Sequence, residues 1–192
     1  MRDGAIAYVC MDWRHVSELI AAADGVFTEF KNICVWNKNN AGMGTFYRSK
    51  HEFILVFKKG TSPHVNNFGL GDGGRYRTNV WDYPGVASVG KERSEALEMH
   101  PTVKPVALVA DALRDCSKRG QTVLDPFAGS GTTLIAAEIC GRFARLMELD
   151  PSYCDVIVQR YEKFSGKPAV LSSSGETFDA LSDRFNHEGR AA

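Results

Sequence analysis

Residues 122–133, TVLDPFAGSGTT, constrain this chain more than any other stretch. Thr122, Val123 and Leu124 read as a short buried strand, and Gly129 and Gly131 permit backbone angles and a close ligand approach that a Cβ would block. The apolar run over residues 134–139 reads as a helix that starts at the turn. Its unpaired N–H groups and positive end then face whatever lies above the strand. Strand, acid, glycine turn and helix in this order predict an α/β fold with a ligand cradle.

The residues around the turn narrow the ligand. A dinucleotide site calls for G-x-G-x-x-G, but Gly129, Ser130 and Gly131 are followed by Thr132 and Thr133 with no third glycine. A triphosphate loop calls for a lysine after the second glycine, and none follows Gly131. Asp125, at the mouth of the turn, repels a pyrophosphate and suits an ammonium group. About 20 residues past Gly129, Glu148 ends the apolar run over residues 143–147, where an acid commonly takes the hydroxyls of a ribose. Amine plus ribose without phosphate describes S-adenosylmethionine. A lone G-x-G after a strand is an ordinary turn at least as often as a ligand site. The ordered set of strand, Asp125, turn, helix, second strand and Glu148 is what carries the reading.

Composition bounds the rest. A chain of 192 residues, 44% hydrophobic and 24% charged, fits one globular domain. Its apolar runs are broken by charge within about 10 residues, short of the roughly 20 that span a bilayer, and no basic-then-apolar leader opens it. Five cysteines, Cys10, Cys34, Cys116, Cys140 and Cys154, are an odd number without C-x-x-C spacing. They indicate neither a disulfide framework nor a metal site and suit a reducing cytoplasm.

Net charge is zero, so the whole chain carries no electrostatic footprint for nucleic acid. Locally, Lys58, Lys59, Arg75, Arg77, Lys91 and Arg93 fall in or beside a glycine-rich stretch over residues 60–94 that also holds Asn66, Asn67, Tyr76 and Asn79. Such a loop either tracks phosphates and reaches base edges or is simply solvated.

Hydrophobic periods place the other elements. Strands are predicted over residues 5–10, 30–36 and 52–57, and helices over 13–23, 106–116 and 151–164. Pro105 sits in the first turn of the helix that follows it, and Gly120 lies beyond that helix's end. Residues 165–192 read as a polar tail with no core-facing pattern. Trp36, Phe46 and Tyr47 are aromatic candidates for a base pocket, although burial in the core is the stronger expectation for each.

The glycine turn arrives late, with about two thirds of the chain ahead of it, whereas an ordinary nucleotide-binding α/β domain places it after the first strand. TVLDPFAGSGTT, preceded by MHPTVKPVAL and followed by MELDPSYCD, resembles the amino-methylating DNA methyltransferases that act on adenine N6 or cytosine N4. CVWNKNN and YRSKHEFILVFKKG extend the resemblance over residues 3–164. It implies a Rossmann-like S-adenosylmethionine-dependent fold, permuted so that catalytic, target-recognition and cofactor motifs follow in that order, with an antiparallel strand pair. A methyltransferase domain over residues 1–166, with recognition over 60–99, would precede the tail at 167–192.

Carried over by position, the resemblance implies that Asp125, Phe127, Gly129 and Gly131 form the methionine side of the cofactor pocket, that Thr132 belongs to the cofactor-binding set, and that Glu148 holds the ribose. His100, Thr102, Lys104 and Pro105 match the block that crosses the methionine end, where Thr102 and Lys104 have donors for a carboxylate. Double-stranded DNA is the implied partner, and members often form homodimers.

One part of that pattern is absent. Members hold the exocyclic amine with an Asp, Asn or Ser followed by two prolines and an aromatic, and no Pro-Pro pair occurs here. The nearest string, Asp150-Pro151-Ser152-Tyr153, follows the Glu148 strand and reads as a helix cap. No catalytic residue is therefore assigned. The expectation is an N-terminally incomplete domain, lacking a central strand, that cannot methylate alone. A cofactor- or DNA-binding module without chemistry, and a small-molecule methyltransferase, are the alternatives.

Overall fold

A computed structural model describes residues 1–42, 44, 46–68, 76–85 and 103–188. In chain order the elements are β1 (Ala5–Met11), α1 (Val16–Ala23), β2 (Glu29–Asn37), β3 (His51–Lys59), β4 (Val80–Asp82), α2 (Val106–Cys116), β5 (Thr122–Asp125), α3 (Thr132–Cys140), β6 (Phe143–Leu146), α4 (Pro151–Ser165) and α5 (Phe178–Glu188).

Among the described residues the strands fall into two sheets. β1, β3, β2 and β4 lie side by side in that order, with β3 antiparallel to β1 and β2 and β4 parallel to β2. β3 takes the centre because its run Ile54, Leu55, Val56, Phe57 is apolar on both faces and buried on both. β5 and β6 form a separate parallel pair, Thr122 opposite Phe143 and Asp125 opposite Leu146. The α/β class expected from the sequence is the class observed.

Helix α2 joins the two sheets. Leu108 and Ala112 enter the core with Cys34, Trp36, Ile54, Val56 and Trp81. Ala110 and Leu113 enter a second core with Ala136, Ala137 and Cys140 of α3, against which Val123 of β5 packs. The other face of β3, Leu55 and Phe57, is covered by α1 through Ala23, Val16 and Leu19. Among the described residues β1 and β5 each stand at a sheet edge.

Several expectations shift. α1 begins at Val16 rather than Trp13, because Asp12 Oδ1 accepts the N–H groups of Arg14 and His15 and makes a turn first. β4 is unforeseen: three residues around the buried Trp81 are too few for an alternation signal. Of the stretch over 60–99, residues 60–68 and 76–85 are described, so Arg75, Lys91 and Arg93 lie outside the described residues. The segment read as a tail holds a Val170–Thr177 bridge and α5, tied by Arg184 to Glu176 at 2.8 Å.

Trp36 is buried as expected, its indole N–H donating to the Tyr83 carbonyl. Phe46 and Tyr47 are not buried. They are 85% and 84% exposed and lie against each other at 4.4 Å between ring centroids. Their β2–β3 connection is rich in Asn, Gly and charged residues, and among the described residues the ring contact of each is with the other. No helix among the described residues is long and apolar enough to cross a membrane.

Candidate functional site

β5 delivers Asp125 to the mouth of the glycine turn, and the turn holds the acid by both oxygens. Oδ1 accepts the Phe127 N–H at 3.0 Å, and Oδ2 accepts the Thr133 hydroxyl at 2.6 Å. A carboxylate has about four acceptor sites, so Asp125 keeps capacity for a ligand donor. Gly129 and Gly131 have φ of 53° and 77°, the left-handed region. At Gly131 space is also tight: a Cβ would stand 3.0 Å from Ile157 Cγ2, so Ile157 would have to give way.

β6 brings the second acid to the same turn. Glu148 Oε2 accepts the Gly129 N–H at 2.7 Å, while Oε1 accepts the N–H groups of Leu149 at 2.8 Å and Asp150 at 3.1 Å. The strands guide this meeting, because the Met147 N–H donates to Asp125 O and the Ala128 N–H to Met147 O. Phe127 lies open to solvent beside the turn.

The block ahead of α2 reaches the turn through Thr132, whose hydroxyl donates to the Lys104 carbonyl at 3.3 Å. Pro105 is the N-cap of α2. Lys104 itself points its ammonium at Glu52 Oε1, 3.1 Å away, and Lys38 holds Oε2 of the same carboxylate at 3.2 Å. Burial works to lower the Lys104 pKa, but Cys10, Glu52 and Asp125 outweigh it and hold it above the ordinary lysine value. Because burial pushes the Cys10 thiol up to about 11, it is neutral at neutral pH, and the two carboxylates are the operative partners. His100 and Thr102 lie outside the described residues.

The structure thus brings Asp125, Phe127, Gly129, Gly131, Thr132, Glu148, Lys104 and Pro105 to one end of the β5–β6 pair. Sequence reasoning missed three residues of the arrangement: Thr133, Glu52, and Arg160 of α4, whose guanidinium meets the Ser130 carbonyl at 2.9 Å. Thr133 is visible in the sequence only as a second threonine after Gly131, Glu52 as one acid opening an apolar strand, and Arg160 as an unremarkable helical cation. Asp150 is the cap that its context suggested: its Oδ1 accepts the Ser152 N–H at 2.8 Å, with Pro151 opening α4.

The basic stretch behaves differently from its composition. Arg77 is neither solvated nor free to reach outward. Its Nη1 stands 3.2 Å from Asp115 Oδ2, and its guanidinium lies 4.3 Å from the centre of the Trp81 ring. Asn67 donates to the carbonyls of Arg114 and Ser117 at the end of α2, and Asn79 donates to Ile33 O. These polar side chains anchor the stretch to the sheet and to α2.

Comparison with known proteins finds relatives in sequence and in fold. The N6/N4 methylase family model, a DNA methylase, matches residues 1–159. The chain is 30% identical over 153 residues to Type II methyltransferase M.HinfI of Haemophilus influenzae, covering 71% of this chain and 40% of that protein. It is 28% identical over 141 residues to Type II methyltransferase M2.MboI of Moraxella bovis, covering 70% and 50%. It therefore spans half or less of the length of these relatives. The crystal structure of an M1.HpyAVI–SAM complex shares the fold with a TM-score of 0.68 at 23% identity, over 83% of this chain and 76% of that one.

Proposed function

Because this chain belongs to the N6/N4 DNA methylase family, we propose that its glycine turn holds S-adenosylmethionine for methylation of an exocyclic amine of adenine or cytosine in duplex DNA. One observation carries the reading: Asp125, at the end of β5, and Glu148, two residues past the adjacent parallel strand β6, are both hydrogen-bonded to the same turn. As carboxylates they only accept, which suits an ammonium group and ribose hydroxyls and refuses a pyrophosphate. The SAM complex of M1.HpyAVI is in keeping with it.

When bound, S-adenosylmethionine supplies an electrophilic methyl group on a sulfonium. The chain's own part is to bind and orient. Asp125, steadied by Thr133, takes the ammonium end; Glu148 takes the ribose; Phe127 offers an exposed ring; and the Lys104–Pro105 block crosses the methionine end. Five free cysteines suit a reducing cytoplasm as the place of work.

The acceptor half needs more than these residues. An exocyclic amine is a poor nucleophile, its lone pair delocalised into the ring, and must be held by acceptors in line with the methyl group. The four-residue motif for this has no counterpart in the 192 residues. The reading therefore includes a strand from outside this sequence beside β5, which stands at a sheet edge among the described residues. The chain alone is then a cofactor-binding half that does not methylate. Two measurements test this: equilibrium binding of tritiated S-adenosylmethionine, abolished by Asp125→Ala, and transfer of tritium to duplex DNA. Absence of binding refutes the cofactor assignment, and robust transfer by the chain alone refutes the need for a further strand.

A further inference from the structure

Besides its cap at Asp150, helix α4 sends two side chains, three residues apart and so on one face, to the glycine turn. Ile157 fills the space that a Cβ at Gly131 would need. Arg160 Nη1 stands 2.9 Å from the Ser130 carbonyl oxygen, 3.0 Å from Ser130 Oγ and 3.2 Å from Thr132 Oγ1. We propose that Arg160 is a positioning residue that fixes the glycine turn from its buried side, so that affinity for the cofactor depends on it. The ligand named here rests on the S-adenosylmethionine reading above; the geometry of the turn does not.

Ser130 and Thr132 are only 4% and 7% exposed. Buried carbonyl and hydroxyl oxygens demand donors, and the two N–H groups of Nη1 are shared among three of them. Burial lowers the Arg160 pKa, but an arginine remains charged throughout the working pH range. Its hydrogen bonds are therefore charge-assisted and of the stronger kind.

The contact also sets a direction. Because Thr132 Oγ1 accepts from Arg160, its own hydrogen is left to donate to the Lys104 carbonyl. Arg160 thus ties α4 through the turn to the block that opens α2.

The test uses the full chain with Arg160→Met and Arg160→Lys. Without ligand, Arg160→Met is expected to accelerate amide hydrogen exchange over residues 128–133 and leave the β3 amides of residues 54–57 unchanged. Affinity for tritiated S-adenosylmethionine is expected to fall roughly 10- to 100-fold. Arg160→Lys is expected to recover part of both effects, since an ammonium also presents several donors from one nitrogen. Where Arg160→Met does not fold, Thr132→Ala removes one of the three acceptors and is expected to accelerate the same amides to a smaller extent. Unchanged exchange over 128–133, or a lysine variant no better than the methionine one, overturns the proposal. A wild-type chain that binds no S-adenosylmethionine removes the cofactor reading, while the exchange comparison still decides whether Arg160 fixes the turn.

Discussion

Glu148 Oε2 accepts the backbone N–H of Gly129 at 2.7 Å, so the acid that follows β6 and the turn that follows β5 form one unit. The carboxylate also serves two amides of its own chain turn, at Leu149 and Asp150. An acid in this position is at once a structural clasp and an acceptor for a ligand, and the two roles separate by substitution.

Glu148→Ala strips an acceptor from three amides and is expected to lower stability by about 1–3 kcal/mol in urea unfolding. Glu148→Gln keeps one acceptor oxygen but loses the charge. It is expected to cost less stability than the alanine while weakening S-adenosylmethionine binding about tenfold by calorimetry. Equal affinity of wild type and Glu148→Gln would argue against the ribose role.

Arg77 and Asp115 form a pair at 3.2 Å in which the aspartate is 2% exposed. Removing the cation leaves a buried carboxylate without it, and Arg77→Met is expected to destabilise the chain by about 3 kcal/mol. Since the pair lies at the far end of α2 from Pro105, cofactor affinity is expected to stay unchanged. A variant as stable as wild type, or one that loses cofactor binding at full stability, would show that Arg77 does something other than anchor its stretch.

Phe46 and Tyr47 stand exposed on the β2–β3 connection, beside Arg48. Under the DNA reading they are placed to stack on bases, an interaction worth about 1–3 kcal/mol per base. Replacing both by alanine is expected to weaken duplex binding at fixed salt with cofactor affinity intact. Fluorescence anisotropy with a labelled duplex measures this, and an unchanged affinity would remove the pair from the interface.

Burial pushes the thiols of Cys10, Cys34 and Cys116 from the ordinary 9.0 up to about 11. Burial also raises Tyr83 to about 12. The folded chain therefore keeps protons that the unfolded chain releases, and stability must fall as pH rises. For the thiols the contribution is complete below pH 9 and lost on passing through 11. Urea midpoints are expected to decline steadily above pH 9, and iodoacetamide at pH 8 is expected to spare these three cysteines in the native chain. A flat or rising midpoint over that window would contradict the burial assigned to them.

Much of this was legible in the residues. The strand, turn and helix of residues 122–140 declare themselves because left-handed glycines, an apolar run and an acid at the join are local signals. Glu148 was legible by its spacing, and Asp150 by its proline. The lone cation at 160, the threonine at 133 and the acid at 52 carry no such signal. Each acquires its partner only across 8 to 52 positions of chain: Thr133 with Asp125, Arg160 with Ser130, Glu52 with Lys104.

The sequence by itself determined an α/β chain with an acid-lined glycine turn and without an amine-holding motif, since period, spacing and absence are properties of a string. Tertiary structure alone decided that the strands form two sheets joined by α2, that Arg77 turns inward, that Phe46 and Tyr47 stay outside, and that α4 holds the turn from beneath. Those outcomes depend on which faces find partners when distant segments pack, and burial and pairing energies are settled there and not along the chain.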